Sequence, residues 1–321
     1  MPRRIEADLP YDKQEELTIV STYFNPSNFR SKYQNCLKFI QSLNESQLSY
    51  LIVECVFDDA EFALPHTDDR IVRIRASSVL WQKERLLNVA IAHLPPTCRY
   101  VAWLDCDILF ADRHWTTRTV EMLQQYPILQ PFEFAIRLPM GQDSFSGSGD
   151  TYESFGSKYS RDRSCLSAGG FATHGHTGFG WVAQRKILEQ FGLYDRCISG
   201  SADHVMCHAF CSDWNSPCVV RLLGNDTPLH RDFVEWASGI AKTVSGRVYY
   251  VPGTILHLWH GEVSDRKYVH RNKELRAFNY DPKLDIQLDS QGCWSWTGRT
   301  PQLVDWAIKY FSSRNEDGTA R

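Results

Sequence analysis

Two carboxylates close an apolar run in the segment VAWLDCDILF, residues 101–110. Asp105 and Asp107 are one residue apart, so they point to opposite faces of a strand but can both turn toward one ligand where the strand ends. Mg²⁺ and Mn²⁺ prefer oxygen ligands and usually keep substrate phosphates in their coordination shell. The pair therefore indicates either a metal site that bridges to a diphosphate or two solvated residues of a strand-ending turn.

Two histidines follow another apolar run in the segment ILHLWHG, residues 255–261. His257 and His260 are three residues apart, and imidazole complements carboxylate as a ligand for Mn²⁺-like ions. A pair of buried, hydrogen-bonded histidines is the alternative interpretation. These residues alone leave both interpretations open.

Two further segments combine glycines, an aromatic ring and an acid. The first is HTGFGWVAQRK, residues 176–186. Gly180 lets backbone N–H groups approach a ligand closely, and Trp181 can stack on a sugar ring. A tight turn with a packed Trp is the alternative interpretation. In SGSADHVM, residues 199–206, Asp203 begins a predicted helix. Asp203 could be a general base at a loop-to-helix junction or simply the helix N-cap.

The elements that must position these residues alternate along the chain. Strands are predicted at residues 17–24, 48–57, 68–76, 100–110 and 127–136. Helices are predicted at residues 28–43, 79–94, 113–125, 184–191, 203–214 and 302–312. This alternation favours an α/β fold with a mostly parallel sheet and helices on both faces, in which ligands bind beyond the carboxyl ends of the strands.

One long segment departs from this alternation. Residues 139–170 are rich in Ser and Gly and almost free of aliphatic side chains. A loop of that length inside a compact domain is usually functional or poorly ordered. We therefore expect a loop here.

The composition is that of an ordinary globular protein. The chain has 321 residues, 43% of them hydrophobic, and a formal net charge of −3, which gives no electrostatic footprint for nucleic acid or an anionic membrane. No apolar run approaches the ~20 residues of a membrane span, and no signal peptide is recognised. The ten cysteines are scattered, so we expect reduced core thiols and a cytoplasmic location.

Taken together and in order, these motifs resemble those of the GT-A class of metal-dependent glycosyltransferases. They are most similar to the β1,4-galactosyltransferase type and to the related catalytic domain of polypeptide N-acetylgalactosaminyltransferases. WQKERLLN, residues 81–88, resembles the galactosyltransferase run F-N-R-A-K-L-L-N, and Asp105-Cys106-Asp107 resembles D-V-D. SGSADH resembles W-G-G-E-D-D, and His257-Leu258-Trp259-His260 resembles M-x-x-H. The resemblance covers roughly residues 17–275.

The resemblance implies a fold, a domain organisation and an activity. It implies a GT-A (nucleotide-diphospho-sugar transferase) fold, with a Rossmann-like mixed sheet flanked by helices, over residues 1–275. Residues 276–321 are then expected to form a C-terminal extension packed on it. The implied enzyme is an inverting glycosyltransferase that moves a hexose (galactose, glucose or N-acetylhexosamine) from a UDP-sugar to a hydroxyl of a glycan, glycolipid or protein, with Mn²⁺ or Mg²⁺ as cofactor.

The resemblance also implies roles for individual residues. Asp107, His257 and His260 would bind the metal, Asp105 would contact the ribose or sugar of the donor, and Asp203 would deprotonate the acceptor. The nucleotide base would be held by Ser21, Thr22, Tyr23 and Glu54. The remaining donor contacts would come from Lys83, Arg85 and Asn88 at the nucleotide, from Arg266, Lys267 and Arg271 at the phosphates, and from Gly180 and Trp181 at the sugar.

The sequence departs from the family pattern at three places. The Ser/Gly-rich segment 139–170 has no counterpart in the family and is the candidate for acceptor binding. Ala202 replaces a glutamate that helps to hold the acceptor in the family, and His257 stands where the family has Met. The acceptor therefore cannot be inferred, whereas the metal-binding role of this position is expected to persist.

Other functions use some of the same residues. A metal-dependent nucleotidyltransferase or nucleotide-sugar hydrolase could employ the same acids and histidines, whereas a non-catalytic carbohydrate-binding module would not need them as an ordered set. No Gly-x-Ser-x-Gly elbow or Walker loop is present. His204, Cys207, His208 and Cys211 share one predicted helix face, which fits either a packed face or a structural zinc site completed by a second element.

Overall fold

The fold is built around a seven-stranded mixed sheet. A computed structural model describes residues 16–168, 171–268 and 270–318. Across the sheet the strands are β10 (Val248–Tyr250), β6 (Ile128–Gln130), β9 (Gly180–Gln184), β4 (Tyr100–Leu104), β1 (Leu17–Phe24), β2 (Tyr50–Phe57) and β3 (Ile71–Ala76). β9 runs antiparallel to its neighbours β4 and β6, and the other pairs are parallel. The predicted α/β class with a Rossmann-like mixed sheet is confirmed.

A smaller sheet lies beyond the carboxyl end of β4. Its strands, in order, are β5 (Ile108–Phe110), β11 (Thr254–His257), β7 (Phe134–Arg137) and β8 (Asp150–Glu153). A separate hairpin joins β12 (Ile286–Leu288) to β13 (Trp294–Trp296).

Helices cover both faces of the main sheet. They are α1 (Arg30–Glu45), α2 (Lys83–Ala92), α3 (Trp115–Leu123), α4 (Phe155–Arg161), α5 (Phe171–His174), α6 (Arg185–Phe191), α7 (Ala202–Phe210), α8 (Pro217–Leu223), α9 (Pro228–Val244), α10 (His270–Ala277) and α11 (Pro301–Ser312). Alternate side chains of β1 enter different cores because successive strand residues face opposite sides. Ile19 packs with α1 and α3, and Val20 packs with α2, α6, α7 and α9.

Two predicted strands are each divided between the two sheets. The run 100–110 forms β4 and β5, and the run 127–136 forms β6 and β7. The first division is fixed by two hydrogen bonds: the Asp105 N–H donates to the Phe179 carbonyl, and the Leu258 N–H donates to the Asp107 carbonyl, each at 2.8 Å. Since both sheets are buried, the apolar pattern continues through the bend and does not reveal it.

The prediction of a long loop at residues 139–170 is wrong for much of that segment. β8 and α4 form within it, and residues 163–168 make a 3₁₀ helix. Ser154 caps α4, with its Oγ accepting from the Ser157 N–H at 3.1 Å. Residues 169 and 170 lie outside the described part of the chain.

The helices α8 and α9 were not predicted from the sequence. Both start with proline in their first turn, and Thr227 caps α9 by accepting from the His230 N–H at 3.1 Å. Proline at the first helical position and threonine at the N-cap are ordinary start signals. The signal was therefore present in the sequence.

The C-terminal segment packs on the rest of the chain. The fully buried side chain of Gln82 donates to the Trp294 carbonyl at 2.6 Å and accepts from the Trp294 N–H at 3.1 Å, which fastens β13 to the start of α2. Helix α10 runs through the domain boundary expected at residue 275. Within the described ranges, no helix has the length and apolar character needed to cross a membrane.

Candidate active site

The turn after β4 carries Asp105 and Asp107. The Asp105 carboxylate forms an ion pair with Lys83, the first residue of α2. The Asp107 carboxylate faces the two histidines at the end of β11. Because β4 ends at Leu104, both acids lie at the carboxyl edge of the main sheet, where ligands bind in α/β folds.

Asp107, His257 and His260 form a compact cluster of possible metal ligands. The Asp107 Oδ2 lies 3.0 Å from His260 Nε2, and Oδ1 lies 3.7 Å from His257 Nε2. The two Nε2 atoms are 3.2 Å apart. Adjacent ligands of an octahedral ion bound at about 2.1 Å are about 3 Å apart, so these spacings fit one divalent ion.

The electrostatics of Asp107 also fit a cation. Its Oδ1 atom is buried and has no hydrogen-bond partner among the described residues. Burial would raise the pKa of this carboxyl group, but His257 and His260 outweigh burial and hold the pKa well below its usual range. Burial lowers the pKa of His257 well below its usual range, which favours the neutral imidazole that binds metals.

Charged residues surround His260. Arg266 Nη2 lies 2.7 Å from His260 Nε2, the atom that would bind a metal, so the guanidinium would have to move aside for an ion. Glu316 Oε1 lies 3.7 Å from the other ring nitrogen, Nδ1. Glu316 is held in turn by Arg314, whose Nε donates to Oε1 at 2.6 Å. The close approach depends on Gly261, since a Cβ there would lie 2.7 Å from the Asn315 carbonyl oxygen.

Asp203 lies in the first turn of α7 and is half-buried. Ser201, with φ of 73°, occupies the N-cap position, so the N-cap role considered for Asp203 does not apply. The Asp203 Oδ1 accepts from the His204 N–H at 2.9 Å. A Cβ on Gly178 would lie 2.7 Å from Oδ2, so this glycine makes room for the carboxylate.

Lys83 links the two acidic groups. Burial would lower the pKa of its ammonium group, but Asp105 and Asp203 together outweigh burial and raise it. Burial raises the pKa of Asp105 despite the charge of Lys83. Next to them, burial raises the pKa of Glu84 to about 7. Acids from the turn after β4, from α2 and from α7 therefore surround one largely buried ammonium group.

These residues line a single cavity of about 410 Å³. Of the residues predicted to form the site, it brings together Thr22, Lys83, Asp105, Asp107, Asp203, His257, His260, Arg266 and Arg271. Sequence reasoning missed other lining residues, which are Lys32, Trp81, Glu84, Arg137, Tyr152, His176, Tyr268, Arg314 and Glu316. Several of these are cationic or aromatic, as a site for a phosphorylated ligand requires.

The structure does not bring the expected base-binding residues into this cavity, apart from Thr22. Ser21 is fully buried and donates to the Leu104 carbonyl at 2.7 Å. Glu54 is also fully buried, and its Oε1 accepts from the backbone N–H groups of residues 63 and 64. Tyr23 is a core residue packed between β1 and α1. These side chains therefore hold the protein itself together.

The other predicted site residues that lie outside the main cavity are held by contacts within the fold or are exposed. Arg85 donates to the Gly292 carbonyl at 2.7 Å, and Asn88 exchanges hydrogen bonds with the Leu193 backbone. Trp181 is a core residue whose indole N–H donates to the Thr177 carbonyl at 2.8 Å. Gly180 faces only a small adjoining cavity, and Lys267 is exposed outside the main one.

Comparisons with known proteins give structural neighbours only. No protein-family model matches the sequence, and the search of curated proteins gave no match. The catalytic domain of Drosophila β1,4-galactosyltransferase 7 in complex with xylobiose is 12% identical, with 89% of this chain and 97% of that chain covered and a TM-score of 0.39. A mutant of the same Drosophila enzyme, in complex with manganese, UDP-Gal and xylobiose, is 12% identical, with 89% and 98% covered and a TM-score of 0.40.

One further structural neighbour comes from Anaerococcus prevotii. The 4-diphosphocytidyl-2C-methyl-D-erythritol synthase from Anaerococcus prevotii is 11% identical, with 74% of this chain and 88% of that chain covered and a TM-score of 0.34. The description of the fold rests on the strand order and helix layers of this chain itself.

Proposed function

We propose that this protein is a metal-dependent, inverting glycosyltransferase that moves a hexose from a UDP-sugar to an acceptor hydroxyl. The observation that carries the proposal is the meeting of three groups in one cavity: the Asp107–His257–His260 cluster, the Lys83–Asp105 pair and Asp203. The ordered sequence motifs that resemble GT-A enzymes supply the same three groups.

The metal cluster and its neighbours would bind the donor diphosphate. Asp107, His257 and His260 would hold Mn²⁺ or Mg²⁺, and the bound ion would neutralise charge on the departing nucleoside diphosphate. Arg266 and Arg271 are buried and line the same cavity, so they would add positive charge beside the diphosphate.

Asp105 and Asp203 would have separate roles. Lys83 holds the Asp105 carboxylate in place to accept hydrogen bonds from the donor ribose or sugar. Asp203 would take the proton of the acceptor hydroxyl as that oxygen attacks the anomeric carbon. A single displacement of this kind inverts the anomeric configuration.

The experiment measures donor binding and turnover separately. Binding of UDP-glucose, UDP-galactose and the two UDP-N-acetylhexosamines is measured by calorimetry with Mn²⁺, with Mg²⁺ or with a chelator. Asp107→Asn is expected to lose metal-dependent donor affinity by about tenfold or more. Asp203→Asn is expected to keep donor affinity and to lose about 10²- to 10⁴-fold in UDP release with a mixture of glycan acceptors.

The exposed Asp59 supplies the matched control, because Asp59→Asn makes the same charge change away from the cavity. Donor binding that is equal with Mn²⁺ and with chelator would refute metal dependence. UDP release that is indifferent to acceptor would instead identify a nucleotide-sugar hydrolase, and pyrophosphate release from a nucleoside triphosphate would identify a nucleotidyltransferase.

A further inference from the structure

A second cluster of metal-binding side chains shares no residue with the Asp107 cluster, although two of its members, His204 and Cys218, line the same cavity. His174 ends α5, His204 and His208 are one turn apart on α7, and Cys218 lies on α8. All four side chains are buried, and their ligand atoms lie within 4.8 Å of one another. Three separate helices therefore converge on one point through side chains that bind transition metals.

Hydrogen bonds at the outer edge of the cluster fix how the imidazoles are oriented. His174 Nδ1 lies 2.8 Å from the Gly175 carbonyl oxygen, which can only accept, so Nδ1 carries the proton and Nε2 presents a lone pair. His208 Nδ1 lies 2.9 Å from Asp213 Oδ2, and its Nε2 lies 3.2 Å from the Cys218 sulfur. A carboxylate or carbonyl behind an imidazole, as His208 and His174 have here, is the usual outer arrangement around a bound zinc ion.

The chemistry of the cluster favours a cation at its centre. The Cys218 thiol has one proton to donate, whereas three imidazoles surround it. At Zn–N distances of about 2.1 Å and a Zn–S distance of about 2.3 Å, tetrahedral ligand atoms are about 3.5 Å apart, close to the observed contact between His208 and Cys218. Imidazole and thiolate suit zinc, whereas Mg²⁺ and Mn²⁺ prefer oxygen.

We propose that His174, His204, His208 and Cys218 bind one structural zinc ion that fastens α5, α7 and α8 together. Four protein ligands complete a tetrahedron and leave no position for substrate, which is the mark of a structural site. The ion would be held next to Asp203 along the chain, because His204 is the following residue on α7. The site would therefore set the position of the proposed catalytic base without taking part in the reaction.

Two of the four residues considered for a zinc site from the sequence belong to this cluster. His204 and His208 belong to the cluster, but Cys207 and Cys211 do not. The Cys207 thiol is buried in the core and donates to the His204 carbonyl at 3.0 Å, and Cys211 packs against the same core. The missing ligands come from α5 and α8, because residues on one straight helix cannot surround an ion.

The test is the zinc content of the full chain, measured by inductively coupled plasma mass spectrometry. The protein is loaded with zinc and dialysed against a weak chelator before measurement. Wild type is expected to hold about one zinc per chain, and Cys218→Ser to lose at least about nine-tenths of it. Cys207→Ser is the matched control and should keep the zinc, because this buried cysteine lies on α7, the helix of His204 and His208, but outside the cluster.

Two further measurements keep the test decisive. Asp107→Asn should retain the zinc, which separates this site from the proposed manganese site. Wild type reloaded with Co²⁺ should show the intense visible bands of a tetrahedral ion and a thiolate-to-metal charge-transfer band, and this reading needs no variant to fold. Wild type without zinc, zinc that survives in Cys218→Ser, zinc lost in Asp107→Asn, or a Co²⁺ spectrum without thiolate would each overturn the proposal.

Discussion

The substitution Glu84→Gln tests the electrostatics of the cavity most directly. Glu84 is 4% exposed, and its Oε2 accepts from the Trp81 indole N–H at 3.2 Å. Burial raises its pKa to about 7 from an ordinary value of 4.5, with the charge of Lys83 acting in the opposite direction. Glutamine has the same shape, can accept the same hydrogen bond and stays neutral at every pH.

The magnitude follows from the pKa of Glu84. A rise from 4.5 to about 7, at 1.36 kcal/mol per pH unit, corresponds to about 3 kcal/mol of unfolding free energy. Because the folded pKa is the higher one, the carboxyl group contributes stability that is fully present below pH 4.5 and is lost as pH rises through 7. Glu84→Gln avoids that loss. The variant should match wild type near pH 4 and exceed its unfolding free energy by about 3 kcal/mol near pH 8.

The assay is urea denaturation of both proteins at intervals between pH 4 and pH 8. Subtracting the two unfolding free energies at each pH cancels the other titrating groups, so the difference should rise mainly between pH 4.5 and 7. Glu121→Gln, at an exposed position of α3, is the control for loss of one surface charge. A difference between wild type and Glu84→Gln that stays flat across this range would refute the burial argument.

Two further substitutions test the proposed active site. Gly178→Ala places a methyl group against the Asp203 carboxylate, which is the flexible end of a side chain. We therefore expect turnover to fall at least about tenfold with little change in melting temperature. Full turnover would contradict the assignment of Asp203 as base. Glu316→Gln removes the anion behind His260; we expect Mn²⁺ affinity, measured by calorimetry, to fall about tenfold. Asp317→Asn is its control, since that exposed carboxylate accepts from the N-terminal N–H groups of α1 and should leave Mn²⁺ affinity unchanged.

The parts of the site that sequence analysis found are those that sit on local patterns. Asp105 and Asp107 end a continuous apolar run, and His257 and His260 end another. Such runs predict buried strands, and the carboxyl ends of strands meet at one edge of an α/β sheet. This rule places the acids at the carboxyl edge of the main sheet, whereas the histidines reach them on β11 of the smaller sheet, which the fold class alone does not predict.

The residues that sequence analysis missed reach the site only through tertiary packing. Arg314 and Glu316 come from a segment expected to be an extension, and no motif marks them as neighbours of His260. Cys218 is similarly distant in sequence from His174. The two residues meet only because α5, α7 and α8 converge. Conversely, Arg85 fits its motif but turns away from the cavity to bind the Gly292 carbonyl. A side chain's direction depends on neighbours that a linear pattern does not contain.

The metal cluster depends on the register of a very short ladder. Ile108 pairs with His257 between β5 and β11, and the hydrogen bond from the Leu258 N–H to the Asp107 carbonyl closes that end of the ladder. A slip by one residue would turn His257 to the opposite face of the sheet, away from Asp107. The strand pairing of the main sheet would stay the same, because β5 and β11 belong to the smaller sheet. The fold and the proposed metal site are thus specified by different parts of the sequence, and a variant can lose the second while keeping the first.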